Sequence, residues 1–315
     1  MIDISEEKNK VKNKLPNFLI VGAQKSGTTS LYNYLKQHFE VFMPDKLKEP
    51  KFFVAPLFKK INHDQPLWAN FMDTIIFGWQ DYLKLFENVQ REKAIGESSV
   101  TYLYYYETAI ILIKKYLGNT KIMMSLRNPI DRAFSGYLHS RRDNRENLSF
   151  EDALKEENKR KRQKWIPLYH YTSIGFYYNQ VKAYLDNFDQ VKIYLYDDLK
   201  RDTLGLVKNM YEFLEVDTSF TPDVNIKYNV TGIPKNKFIH QFLKESNILK
   251  SAVKPIFNIL VSQGKWQEIR EKIKMKNLQK PQMKPETREY LKDLYREDIL
   301  KLQDLIKRDL SIWLE

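Results

Sequence analysis

The chain has 315 residues, 43% of them hydrophobic, enough for one large α/β domain or two small ones. It contains no cysteine, which excludes disulfides and thiolate metal sites, and its five histidines (His38, His63, His139, His170, His240) show no close pairing in sequence. The formal net charge of +12 suits a nucleic acid, an anionic membrane surface or an acidic substrate.

Residues 1–14 (MIDISEEKNKVKNK) are polar and lack the apolar run of a signal peptide, so they read as a frayed tail. No later stretch approaches the roughly 18 apolar residues of a membrane span. No repeat or low-complexity linker divides the rest, and residues 15–315 are expected to form a single domain. Phe18 to Val21 are four apolar β-formers that run into a loop holding Gly22, Lys25, Ser26 and Gly27. Thr28 and Thr29 then open a helix expected at about 28–38. A strand, a Gly-bounded loop and a helix N-terminus make an anion cradle, because free N–H groups and the positive end of the helix dipole face the same point. The Walker A pattern needs a lysine directly after the second glycine; here Thr28 stands there and the lysine lies two places before, at Lys25. No strand ends in a Walker B aspartate. A lysine and hydroxyls without metal ligands suit an anion less charged than a triphosphate, such as a sulfuryl group.

Residues 48–53 (KEPKFF) come next, then a strand at 94–97 that opens IGESSVTYL (95–103) and a helix at 102–116. A strand at 121–126 (KIMMSL) ends in Arg127, and Pro129 stands in the first turn of a helix at 129–141, where proline is favoured. Ser135 follows Arg127 by eight residues. A guanidinium at a strand's end and a hydroxyl on the next helix can grip one phosphate from two sides. Ser149 caps a helix at 150–163, whose run KEENKRKRQK (155–164) reads as a solvated face. A helix at 176–187, a strand at 191–195 and helices at 201–214 and 286–309 complete the series. Strands separated by long helices imply right-handed crossovers and a parallel sheet, with the anion loop at the carboxyl end of the first strand. The tyrosines at 102, 104–106, 169, 171, 177 and 178 offer stacking faces but read chiefly as packing.

The two anion segments resemble the 5′-phosphosulfate loop and the 3′-phosphate motif of the PAPS-dependent sulfotransferases, PAPS being 3′-phosphoadenosine 5′-phosphosulfate. The resemblance implies the P-loop-like α/β sulfotransferase fold, a central parallel sheet flanked by helices. It implies that Lys25, Ser26, Gly27, Thr28 and Thr29 hold the phosphosulfate, and that Arg127 and Ser135 hold the 3′-phosphate. KEPKFF resembles a segment of the heparan-sulfate-type members whose glutamate is the proposed base, which makes Glu49 the expected catalytic base, with Lys25 as its catalytic partner. Residues 228–237 (YNVTGIPKNK) resemble the basic loop that closes over the nucleotide, which would give Lys235 and Lys237 anion contacts. One departure stands out: where that subfamily often has Glu-Lys-Thr-Pro-x-Tyr, the lysine position holds Ser98 and the proline position Val100, while Glu97 is kept as a second carboxylate candidate.

The function implied is in-line sulfuryl transfer from PAPS to an acceptor hydroxyl or amine, with a carbohydrate first and a lipid, polyketide or other small alcohol second. The scheme requires no metal. Neither a nucleic acid nor a membrane span is expected as part of it, and a cytoplasmic location is expected because Golgi-resident relatives carry an apolar anchor. A P-loop kinase, which would need ATP and magnesium, and a basic module binding nucleic acid or heparin are the competing readings. The first lacks its lysine after Gly27, and the second leaves both phosphate motifs without a purpose.

Overall fold

The computed structural model describes residues 14–66, 68–225, 232–235, 277–279 and 281–315. Five parallel strands form one sheet: β1 (Phe18–Gly22), β2 (Val41–Phe42), β3 (Ala94–Glu97), β4 (Lys121–Leu126) and β5 (Val191–Leu195), in the order β2-β3-β1-β4-β5. β6 (Ile233–Pro234) and β7 (Leu278–Gln279) form a separate antiparallel pair. The helices are α1 (Thr28–Leu35), α2 (Ala55–Phe58), α3 (Trp68–Met72), α4 (Trp79–Leu83), α5 (Thr101–Tyr104), α6 (Tyr106–Leu117), α7 (Pro129–Arg142), α8 (Phe150–Arg162), α9 (Tyr177–Asn187), α10 (Tyr196–Arg201), α11 (Thr203–Leu214) and α12 (Pro285–Ile306). None of the described helices is long and apolar enough to cross a membrane.

The central strand is buried along its whole length, as a strand covered on both faces must be. Its side chains still alternate. Phe18 and Ile20 enter one layer with Leu31, Met123 and Met210, while Leu19 and Val21 enter the other with Phe53, Ile113 and Ile122. Helices α1 and α11 build the first layer, and α6, α9 and α12 contribute to the second. Gly96 of β3 has no room for a side chain, because a Cβ there would lie 2.4 Å from the Phe18 ring on the neighbouring strand. Parallel pairing of Leu19 with Glu97 and of Gly22 with Met124 ends β1, β3 and β4 along one rim. The anion loop, Glu97 and Arg127 are therefore delivered to the same edge.

The strands expected at 94–97, 121–126 and 191–195 have those bounds, and β1 runs one residue further than expected. Four helices differ by more than one residue, among them α12, which ends at Ile306 rather than 309. Helix α1 ends at Leu35 rather than 38: His38 turns inward, where its Nε2 lies 2.8 Å from the Asp217 carbonyl. The segment 102–116 divides at Tyr105, whose backbone leaves the helical region where its ring packs on Phe58. The segment at 201–214 breaks at Asp202, which caps α11 by accepting from the Gly205 amide at 2.8 Å. Ser149 caps α8 as expected, its hydroxyl accepting from the Asp152 amide at 3.1 Å. The basic face of α8 is not wholly solvated, however. Arg160 is buried in a bidentate pair with Glu146 (2.5 and 3.1 Å), and Glu157 is buried accepting from the Thr172 and Ser173 amides.

Candidate active site

The loop between β1 and α1 is fixed to β4 by one backbone and one side-chain hydrogen bond. The Ala23 amide donates to the Ser125 carbonyl (2.8 Å), and the Ser125 hydroxyl donates to the Ser26 carbonyl (2.7 Å). Lys25 and Gly27 both take left-handed conformations, with φ of 67° and 85°. Gly27 is required twice over, because a Cβ there would also stand 2.5 Å from Leu199. As the residue before α1 it supplies no side-chain cap, so the first-turn N–H groups of Thr28 and Thr29 stay open to a ligand. Ser26 is fully buried and its hydroxyl has no partner. A loop with an uncapped helix end and an orphaned hydroxyl fits an anion.

Arg127 leaves the end of β4 and its Nη1 donates to the Lys25 carbonyl at 3.1 Å. Its guanidinium lies over the Tyr196 ring, 4.8 Å from the centroid. Asn128 caps α7 by accepting from the Ile130 amide (3.0 Å), and its Nδ2 donates to the Trp313 carbonyl at 3.2 Å. Ser135 is buried two turns into α7. The β6–β7 pair lies against α7; Lys235 is exposed there, its amide donating to the Asn277 carbonyl at 2.6 Å. Lys237 lies outside the described residues.

Glu49 sits in a nest of lysines. Lys48 Nζ donates to its Oε1 at 3.0 Å, and Lys51 Nζ donates to its carbonyl at 3.0 Å and to Thr74 Oγ1 at 2.9 Å. Burial opposes ionisation of Glu49, but the charges of Lys48, Lys51 and Lys25 outweigh it and hold the carboxyl below its ordinary range. Glu97 is the opposite case. It is fully buried, its Oε2 has no partner, and burial pushes it up to about 8. Two carboxylates near one rim are thus driven apart, with Glu49 ionised and Glu97 protonated at neutral pH. Ser98 is fully buried and carries no charge to the site.

Sequence reasoning missed the C-terminal end of α7. Burial first, then the charges of Arg142 and Arg127, lower Lys25 to about 7. Asp143 is shared by Arg142 (3.2 Å), Arg145 (3.5 Å) and His139 (3.8 Å), and His139 is lowered to about 3 by burial and by Lys25 and Arg142. The run HSRRDNRE (139–146) carried that signal, but only the fold brings it to the loop. A cavity of about 170 Å³ opens beside these groups, with Gln24 of the loop, Glu49, Lys51 and Arg145 in its wall. Among the described residues no group of three or more acidic, histidine or cysteine side chains is placed to hold a metal. The arrangement can bind a polyanion across the loop and Arg127 while offering an ionised carboxylate to a second molecule in the cavity.

The family model for the sulfotransferase domain matches residues 15–304. The chain belongs to the sulfotransferase domain family. Its fold is that of a sulfotransferase from Alicyclobacillus acidocaldarius, with a TM-score of 0.74 and 34% identity over 96% of this chain and 99% of that one. The membrane-associated sulfotransferase kil1 of Dictyostelium discoideum is 33% identical over 129 residues, 40% of this chain and 23% of that protein. The human bifunctional heparan sulfate N-deacetylase/N-sulfotransferase 2 is 31% identical over 140 residues, 42% of this chain and 14% of that protein. The sulfotransferase chain described here therefore spans less than a quarter of the length of these two curated relatives. Family membership agrees with the missing Walker lysine and tells against the kinase reading.

Proposed function

We propose that this sulfotransferase transfers a sulfuryl group from PAPS to an acceptor hydroxyl of a carbohydrate. The observation that carries the reading is the 3.1 Å bond from Arg127 to the Lys25 carbonyl, which supports reading the two anion motifs as parts of one site. Lys25, Ser26, Gly27, Thr28 and Thr29 hold the phosphosulfate end of the donor. Arg127 and Ser135 hold the 3′-phosphate, with Lys235 and Lys237 added from the following loop. Glu49 takes the proton of the acceptor hydroxyl as that oxygen bonds to sulfur. Lys25 and the loop amides stabilise the charge that grows on the bridging oxygen as its bond to sulfur breaks, and loss of one such donor typically costs about 100- to 1,000-fold in rate. The heparan sulfate named in the human relative's title supports a carbohydrate acceptor, while Ser98 in place of the subfamily's lysine separates this site from that substrate's usual partners.

The test is a set of three variants. Lys25→Ala and Arg127→Ala weaken binding of the desulfated product PAP in calorimetry. Glu49→Gln abolishes turnover and leaves PAP affinity unchanged; near-normal turnover in that variant removes Glu49 as the base. Thermal stabilisation by ATP–magnesium in preference to PAP would return the kinase reading.

A further inference from the structure

The cavity beside Glu49 has two kinds of wall. Phe71, Leu168 and Ile174 give it an apolar side. Facing into the same space are Thr101 and Tyr104, three residues apart on α5 and so on one face of it. The Thr101 hydroxyl is buried and has no partner. The Tyr104 hydroxyl lies 3.0 Å from Nδ1 of His170, a buried ring whose Nε2 is also without a partner. His170 is anchored by its amide, which donates to the Pro167 carbonyl at 3.0 Å, and burial lowers its ring to about 4, so it is uncharged at neutral pH. An orphaned buried hydroxyl is costly unless a ligand pairs with it, and the Tyr104 hydroxyl, held by His170, stands in the same wall. A cavity of about 150 Å³ takes one benzene ring, so the ≈ 170 Å³ here takes one six-membered ring.

We propose that Thr101 and Tyr104, the latter held by His170, bind ring hydroxyls of the acceptor, so that the site takes a single polyhydroxylated ring and rejects a mono-alcohol of the same shape. This rests on the sulfotransferase reading above and names the unit that Glu49 deprotonates. The carbon face of such a ring packs on Phe71, Leu168 and Ile174. An alkyl or alicyclic mono-alcohol fills the same volume but leaves the solvent-shielded Thr101 hydroxyl unpaired. A site built to hydrogen-bond a substrate hydroxyl discriminates strongly against the analogue that lacks it.

The experiment uses the full chain with PAPS and two acceptors that share a six-membered ring and a hydroxymethyl group, methyl β-D-glucopyranoside and cyclohexylmethanol, following PAP release. The expected result is a kcat/KM at least about tenfold higher for the glucoside. Tyr104→Phe and Thr101→Val each lower that value about tenfold through KM, while cyclohexylmethanol turnover does not fall and PAP affinity stays where it was. Equal use of the two acceptors, turnover of neither by a protein that binds PAP, or variants that lower both acceptors alike would overturn the proposal. Failure of the unsubstituted protein to bind PAP would sink the donor assignment instead, and calorimetry with PAP alone separates the two failures.

Discussion

Lys25 is the residue on which the electrostatics of the donor loop turn. Its burial and the neighbouring charges of Arg142 and Arg127 outweigh the attraction of Asp143 and bring it from an ordinary 10.5 to about 7. Above pH 7 the free protein therefore holds Lys25 mainly neutral, and an arriving polyanion restores the proton. PAP binding is expected to take up a proton between about pH 7 and 9, and affinity to fall as pH rises through that window. Calorimetry in two buffers of different ionisation enthalpy reads the uptake directly, and it vanishes in Lys25→Met. For folding the sign is reversed: between about 7 and 10.5 the unfolded chain binds more protons at this group than the folded one, so its contribution to stability rises with pH. Residue types alone pointed to Lys25 and Arg127. The shift of Lys25 was not legible, because two of the charges behind it, Arg142 and Asp143, lie more than a hundred residues along the chain.

Among the elements, the turn into α1 is the least tolerant of change. At Gly27 any side chain meets both a left-handed backbone and Leu199 at 2.5 Å, so Gly27→Ala is expected to cost about 1–3 kcal/mol and to misplace the first-turn amides. Denaturant unfolding checks the first effect and PAP calorimetry the second. The buried pair on α8 makes a second demand. Arg160 lies 5.1 Å over both the Trp165 and Tyr169 rings and carries the Glu146 carboxylate. Arg160→Ala leaves that carboxylate buried without a countercharge, held only by the Tyr171 hydroxyl and the Asn147 and Leu148 amides, at a cost of about 3 kcal/mol in the same denaturation assay. Periodicity and a capping serine were enough to find α8. They did not show that Glu157 and Arg160 point inward, since a helix of mixed charge looks alike on every face until its neighbours are placed. The breaks at Tyr105 and Asp202 escaped for the same reason: a half-buried ring packed on Phe58 in one case and a capping carboxylate in the other override a continuous helical pattern.

On the scale of the whole molecule, a parallel sheet was implied by strands alternating with helices, though its order β2-β3-β1-β4-β5 was not, and the anion loop, Glu97 and Arg127 share an edge because β1, β3 and β4 end on one rim. Strand β2 was not legible, being only two residues long. The cavity was not legible either, since its wall combines the loop, α5 and the segment after α8. The net charge of +12 gives a further expectation. A basic protein steers a polyanionic donor, so the association rate for PAP in stopped-flow should fall several-fold as the screening length contracts from about 30 Å at 0.01 M salt to about 8 Å at 0.15 M. A rate indifferent to salt would show that the surplus charge faces away from the cleft.

The bond from Asn128 to the Trp313 carbonyl spans 185 residues, and the Trp313 indole also donates to Asp197 at 3.2 Å. The residue beside Arg127 is thus braced by a turn that lies 185 residues further along the chain. During synthesis β1, its loop and α1 leave the ribosome early, yet the brace for Arg127 arrives only when residue 313 clears the exit tunnel. A nascent chain stalled before that point carries the cradle without its clasp.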